Sequence, residues 1–322
     1  MKISFSSLSK YRAQLMGVAT LMIIMCHANP YGVQLPRVLS RIFSYGNIGV
    51  DIFLFVSGVG LTYSLDKVKF ANFEELWQWY RRRYVRILLP YLLISLTILP
   101  LKTWLDTDGN WLRMLCDVTT LPFWTHHRSA WFVALLIPLY LLTPLFYRVI
   151  ISKSIRKTIV GGGILIAISQ VLSMYHPVGE SDIWHNITFC LCRTTSFFAG
   201  MTLTPLVKSD KRVNVLYVLC SFLPLYGVCH KICPEHTFQI LQALPILALI
   251  SWIFEHMPKE SYIYNLLAWF GTLSLESYLC NVYLCAFTKQ MGIHSYILVV
   301  VAGITLSLIY QWLGAAIIHK IK

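Results

Sequence analysis

The stretch NIGVDIFLFVSGVGLTYSL, residues 47–65, carries a single charged side chain, that of Asp51. As an α-helix it would extend about 28 Å, close to the roughly 30 Å thickness of the hydrocarbon core of a bilayer. The whole chain has the same character, because 57% of its 322 residues are hydrophobic and 13% are charged. An ordinary soluble domain has about a quarter of its residues charged. The sequence therefore excludes a soluble globule and predicts an integral membrane protein.

Similar apolar stretches recur along the chain and predict an all-α integral membrane fold with about ten transmembrane helices. At about twenty residues per span, the length leaves no room for a sizeable soluble domain, so residues 1–322 are predicted to form one polytopic domain. Prolines inside apolar runs, such as Pro138 and Pro224, favour kinked helices around an internal cavity. The predicted spans are residues 12–29, 47–65, 85–104, 130–149, 158–175, 185–206, 213–231, 237–256, 264–287 and 295–318.

The basic residues are distributed unevenly between the loops, and this distribution predicts the orientation. The chain has 27 Lys and Arg against 14 Asp and Glu, a net charge of +13 that would also suit a nucleic-acid-binding protein. In short loops between spans, however, basic residues mark the cytoplasmic side. With the N-terminus inside, 19 of them lie in cytoplasmic segments and 7 in outer segments. We therefore predict that both termini are cytoplasmic in a multi-pass protein of the cell (inner) membrane, with no nucleic-acid partner.

An ionisable group inside a span costs about 3 kcal/mol or more to insert, so five residues inside the predicted spans or at their mouths are the leading site candidates. They are His27, Asp51, Arg86, Arg193 and Glu276. His27 and Asp51 are predicted to lie at similar depth, near the outer ends of the first two spans. A carboxylate on one imidazole nitrogen would leave the other nitrogen to act as a general base. In the alternative interpretation, Asp51 starts a helix and His27 is an interfacial residue.

Arg81, Arg82, Arg83 and Arg86 cluster just before the third predicted span. They can be read as charges that stop the span at the cytoplasmic surface. Arg83 and Arg86 are three residues apart and would share a helical face, so they could also grip a phosphate by forked hydrogen bonds.

The cysteines and histidines give little support for a metal site. Most of the nine cysteines lie in apolar runs, where they act as small hydrophobes. Cys229, His230, Cys233 and His236 have a spacing that a metal could use, but such residues also collect in loops at a membrane surface. The prediction is that the protein has no metal.

Six segments, taken in order, resemble the membrane-bound acyltransferase 3 family, whose members O-acylate extracytoplasmic sugars. The most specific is residues 49–58, GVDIFLFVSG, which is similar to the GVDxFFxLSG pattern of the family's second helix. The resemblance spans most of the chain, and the order and spacing of the segments carry it together. The other matching segments are residues 17–28, 82–91, 131–144, 197–201 and 274–279.

Two positions depart from the family pattern. Eleven residues before its histidine the family has Arg or Lys, on the same helical wall about 16 Å away, and here the residue is Met16. Arg12 lies one turn below, and its side chain is expected to lean away from His27. Where the family's SLxxYLxH motif ends in histidine, this chain has Asn281, which can orient a substrate but cannot titrate near neutral pH.

The resemblance implies transfer of an acetyl (acyl) group from cytoplasmic acetyl-coenzyme A, a co-substrate, to a sugar hydroxyl of a cell-surface polysaccharide or glycolipid precursor. His27, oriented by Asp51, would be the general base, and Arg83 and Arg86 would hold the donor phosphates. Trp131 would line the sugar site. The remaining candidates for substrate binding are Arg193, Glu276 and Asn281, with charge pairing between helices as the alternative for Arg193.

Two other functions remain open at this point. A polysaccharide exporter or flippase would also suit ten kinked spans with buried charge, and it would need no acyl donor. An inactive structural relative would fit the presence of Met16 and Asn281.

Overall fold

The computed structural model describes residues 1–70, 72–105, 109–126, 130–175, 181–232, 238–292 and 295–321. Over these residues the protein is helical apart from one pair of short strands, β1 (Lys2–Ser4) and β2 (Arg212–Asn214). The helices are α1 (Ser7–Lys10), α2 (Arg12–Tyr31), α3 (Arg37–Ser44), α4 (Ile48–Leu65), α5 (Phe73–Leu105), α6 (Trp111–Val118), α7 (Leu121–His126), α8 (Trp131–Ile150), α9 (Ile155–Ser173), α10 (Asp182–Lys208), α11 (Val215–Ile232), α12 (Gln239–His256), α13 (Tyr262–Thr272), α14 (Ser274–Gln290) and α15 (Tyr296–Ile321).

The helices confirm the all-α membrane fold. Within the described residues, seven helical stretches are long and apolar enough to cross a membrane, and each overlaps a predicted span. Helices α2, α10 and α14 also occupy predicted spans but are not among the seven. They carry His27, Arg193 and Asn281, and α14 has only 17 residues.

Two predicted span boundaries were wrong. The span predicted at 264–287 is two helices, α13 and α14, which meet at Leu273. Thr272 donates its hydroxyl to the carbonyl of Trp269, and such local side-chain bonds compete with a continuous helix. The span predicted at 85–104 begins twelve residues earlier, at Phe73, because Glu74 and Glu75 suit the first turn of a helix. Its 33 residues extend about 50 Å, well beyond the hydrocarbon core.

The described chain divides into two compact units, and the first contains residues 1–19, 47–69 and 141–272. In this unit α4 and α10 pack closely through two glycines. A Cβ at Gly58 would lie 2.3 Å from the carbonyl oxygen of Phe197, and one at Gly200 would lie 2.1 Å from that of Phe55. Only glycine permits this approach of two backbones, as is common between membrane helices.

Polar contacts in the first unit agree with the predicted orientation. Asp66, which follows α4, accepts hydrogen bonds from the Tyr147 hydroxyl (2.8 Å) near the end of α8 and from Lys208 at the end of α10. The predicted topology puts Asp66 and Lys208 on the cytoplasmic side and Tyr147 near the cytoplasmic end of the span 130–149. Strands β1 and β2 pair antiparallel, with Ile3 opposite Val213. If both strands lie on one side of a membrane, an even number of spans must separate them, and the sequence predicts six spans before residue 212.

The second unit contains residues 20–46, 70–140 and 273–322. Here hydrogen bonds join the end of α2 to the end of α14. The Tyr31 hydroxyl lies 3.1 Å from the Thr288 hydroxyl, and Lys289 donates to the carbonyl of Pro30. Asn29 donates to the carbonyl of Ser40 at 2.8 Å, which ties the short helix α3 to the same end. The last turns of α2 and α14 therefore lie side by side.

Candidate active site

His27 lies in the last turns of α2 and contacts α14 in the second unit. Its Nδ1 is 2.6 Å from the amide oxygen of Asn281, which is 2% exposed. Asn281 was predicted to contact substrate, whereas the structure places it on the histidine ring. The amide takes the place that the sequence analysis gave to a carboxylate.

The partners of Asn281 define the protonation of the ring. The Tyr296 hydroxyl donates to the backbone carbonyl of Ile24, which can only accept, so its oxygen is left to accept from Asn281 Nδ2 at 3.4 Å. The amide oxygen therefore faces His27, and Nδ1 of the ring must carry the hydrogen. In the neutral imidazole this leaves the Nε2 lone pair as the basic site. Tyr296 was missed by the sequence analysis, where it stood only as the first residue of an apolar span.

Within the first unit, the structure gives Asp51 two partners that the sequence analysis did not assign to it as the holder of His27. Its carboxylate is fully buried in the first unit and accepts from the Arg193 guanidinium and, at 2.8 Å, from the Ser196 hydroxyl. Arg193 is itself 3% exposed. Two opposite charges inside a membrane protein are better compensated by each other than by neutral groups. This is the charge pairing that was the alternative for Arg193, and Ser196, one turn further along α10, completes it.

Arg83 and Arg86 lie within α5 because that helix starts early. The Arg83 guanidinium lies over the ring of buried Trp79, 5.9 Å from its centroid, which is a cation–π contact. Arg86 is exposed and interacts electrostatically with Glu276 in the first turn of α14. The two arginines therefore have different surroundings. The structure brings Arg86 and Glu276 together.

Helix α14 connects these groups within the second unit. Glu276 and Asn281 are five residues apart, about 7.5 Å along the axis of a helix. Between them is Tyr278, whose ring centroid is 6.3 Å from that of His27 and 5.4 Å from that of Phe132. Trp131, the first residue of α8, packs edge-to-face on Phe132 at 5.8 Å. A row of rings thus runs from half-exposed Trp131 to His27.

Position 16, where the family has a basic residue, is occupied by Met16, and the nearby basic residue Arg12 lies in the first unit. Met16 is half-buried, and the Arg12 guanidinium faces α4, where a Cβ on Gly60 would lie 3.2 Å from its central carbon. Arg12 therefore serves the packing of α4 in the first unit.

The candidate metal cluster is only partly covered by the structure. Cys233 and His236 lie outside the described residues, which include Cys229 and His230 at the end of α11. Among the residues that are described, no group of three or more His, Cys, Asp or Glu side chains could hold a metal ion. The absence of a metal stays a prediction.

One comparison with known proteins identifies the family. The sequence profile of the acyltransferase 3 family, described as an acyltransferase domain, matches residues 15–315. No curated protein and no solved structure matches the chain. The match covers nearly the whole chain, including every helix that carries a candidate site residue. The chain therefore belongs to the acyltransferase 3 family of integral membrane acyltransferases.

Proposed function

We propose that the protein is an O-acetyltransferase of the cell (inner) membrane that moves an acetyl group from cytoplasmic acetyl-coenzyme A to a sugar hydroxyl. The acceptor is a cell-surface polysaccharide or its glycolipid precursor. The observation that carries this proposal is the His27–Asn281 hydrogen bond of 2.6 Å, which leaves Nε2 of the ring as a base. Acyl transfer to a hydroxyl requires such a base, whereas export of a polymer does not.

The reaction follows from that nitrogen. Nε2 of His27 takes the proton of the sugar hydroxyl as its oxygen attacks the carbonyl carbon of the thioester. The new C–O bond forms, the C–S bond breaks, and the coenzyme A thiolate leaves with the proton that the imidazolium returns. Asn281, held by Tyr296, keeps the ring in the reactive tautomer throughout. In this mechanism Asp51 and Arg193 support the fold through their ion pair.

Arg83 and Arg86 are assigned to the donor. The phosphates of coenzyme A carry several negative charges, and guanidinium groups bind phosphate oxygens through paired hydrogen bonds. Exposed Arg86 can meet these phosphates directly, with Glu276 beside it to orient the guanidinium. Trp131 is assigned to the acceptor, because a half-exposed indole suits the apolar face of a sugar ring.

The experiment supplies isotopically labelled acetyl-coenzyme A to membranes of cells that express the chain. Labelled acetyl esters on surface glycan are then measured by mass analysis. His27→Ala should abolish the label at unchanged protein level. The matched control is His256→Ala. His256 is hydrogen-bonded to the carbonyl of Trp252 within its own helix, α12, and has no role in the proposed reaction.

Two results would contradict the proposal. Undiminished label in His27→Ala would remove the base. A wild-type chain that restores surface polymer without adding any ester would instead indicate an exporter.

A further inference from the structure

Tyr278 lies against the candidate base and has no role in the mechanism above. Its side chain is 4% exposed, and its ring is tilted by 40° to the ring of His27. On its other side Phe132 packs edge-to-face against it, with an interplanar angle of 71°. The ring is thus held in one position beside the imidazole, within a single compact unit.

The hydroxyl of Tyr278 is buried and has no hydrogen-bond partner among the described residues. The Phe132 backbone approaches the hydroxyl oxygen without forming a hydrogen bond of normal geometry. A buried tyrosine hydroxyl usually finds a partner, and one without a partner destabilises the fold. Phenylalanine would fill the same space without this cost. The O–H group at this position therefore calls for a function.

We propose that the Tyr278 hydroxyl donates a hydrogen bond to the carbonyl oxygen of the acyl group under attack. This inference rests on the proposed function. When the sugar oxygen bonds to the carbonyl carbon, the π electrons of the C=O bond move to the carbonyl oxygen, and His27 holds the sugar proton. The Tyr278 O–H stabilises that negative oxygen until the C–S bond breaks and the C=O bond reforms. The tyrosine keeps its own proton, so the proton balance at His27 is unchanged.

The position of the group supports this role over a purely structural one. Developing charge on the oxygen is best stabilised by a donor that is already fixed in a site that excludes water. Tyr278 meets both conditions because its ring is packed on two sides and its oxygen is buried. Ser277, the next residue back on α14, also has a buried hydroxyl without a partner in the described part of the chain, but it has no ring to pack on His27. It offers a matched control.

The test compares Tyr278→Phe with Ser277→Ala in the labelled acetyl transfer assay. Tyr278→Phe should lower kcat by about 100-fold or more, with little change in KM for acetyl-coenzyme A, since the lost bond strengthens only in the transition state. Its thermal stability in detergent should stay level or rise. Ser277→Ala should keep both kcat and KM.

Several outcomes would overturn the inference. An unchanged kcat in Tyr278→Phe would do so and would leave the proposed function standing, provided that His27→Ala is inactive. A kcat loss that appears together with a lowered melting temperature would show a structural hydroxyl. If the wild-type chain transfers no acetyl group at all, the proposed function fails and the inference fails with it.

Discussion

Replacing Asp51 by Leu should destabilise the protein by about 3 to 5 kcal/mol, because it removes the carboxylate that compensates the Arg193 guanidinium inside the protein. The two side chains are 0% and 3% exposed, so solvent cannot take over this role. Ser196 loses its acceptor as well, at a cost of about 1 kcal/mol. The single variant should therefore unfold at clearly lower temperature in detergent and accumulate poorly in membranes.

The double variant with Asp51→Leu and Arg193→Met should recover most of that loss. A buried ion pair replaced by apolar residues of similar volume is often neutral in stability, whereas half a pair is costly. Thermal unfolding of the purified protein gives the coupling between the two sites, and acetyl transfer per folded molecule gives their role in chemistry. A double variant that folds like the wild type but transfers no acetyl group would refute the structural assignment of Asp51. So would a single variant of wild-type stability.

Three further predictions concern other parts of the molecule. Asn281→Ala should lower kcat about fivefold, because it removes a hydrogen bond of about 1 kcal/mol that selects the reactive tautomer of His27. Tyr296→Phe should lower kcat by less, and pH–rate profiles of both variants check this. Gly200→Ala should lower the free energy of unfolding by about 2 kcal/mol or more, because the added methyl group would clash with the backbone of α4. The control Gly163→Ala on α9 adds its methyl group to open space, so it should leave the melting temperature unchanged or raise it. Hydrogen bonds from Ser4, chiefly, and from Ser6 hold the pKa of exposed Asp210 below its usual 3.8. This contact should therefore stabilise the strand pair above about pH 4, and the stabilisation should be lost as the pH falls through the lowered pKa of the folded protein. The melting temperature of Asp210→Asn should not show this loss of stability at low pH. If the loss persists in the variant, groups other than Asp210 cause it.

Much of the helical layout could be predicted from the apolar segments alone. Nine predicted spans each coincide with one helix, since a run of about twenty apolar residues has few alternatives in a bilayer. The break at Leu273 could not be predicted, because it depends on a local bond from Thr272 rather than on hydropathy. The early start of α5 was missed because its first half is polar and lies outside the apolar run.

The partners of the candidate site residues were harder to predict than the residues themselves. His27 and Asp51 were paired because chain order gave them similar depth, but depth does not determine which helix faces meet. The pairing overlooked that Arg193 also needed an opposite charge, and α10 brings it to Asp51. Asn281 was expected to orient a substrate, whereas its amide oxygen faces His27 and its amide nitrogen donates to Tyr296.

The pairing of β1 with β2 has a consequence for biogenesis. Residues 2–4 can pair with their partner strand only after the ribosome has produced residue 214, by which time helices α1 to α10 have been synthesised. Until then the N-terminal segment has no strand to pair with. Pairing of the two strands is therefore a late event in translation, and it follows the synthesis of helices α1 to α10.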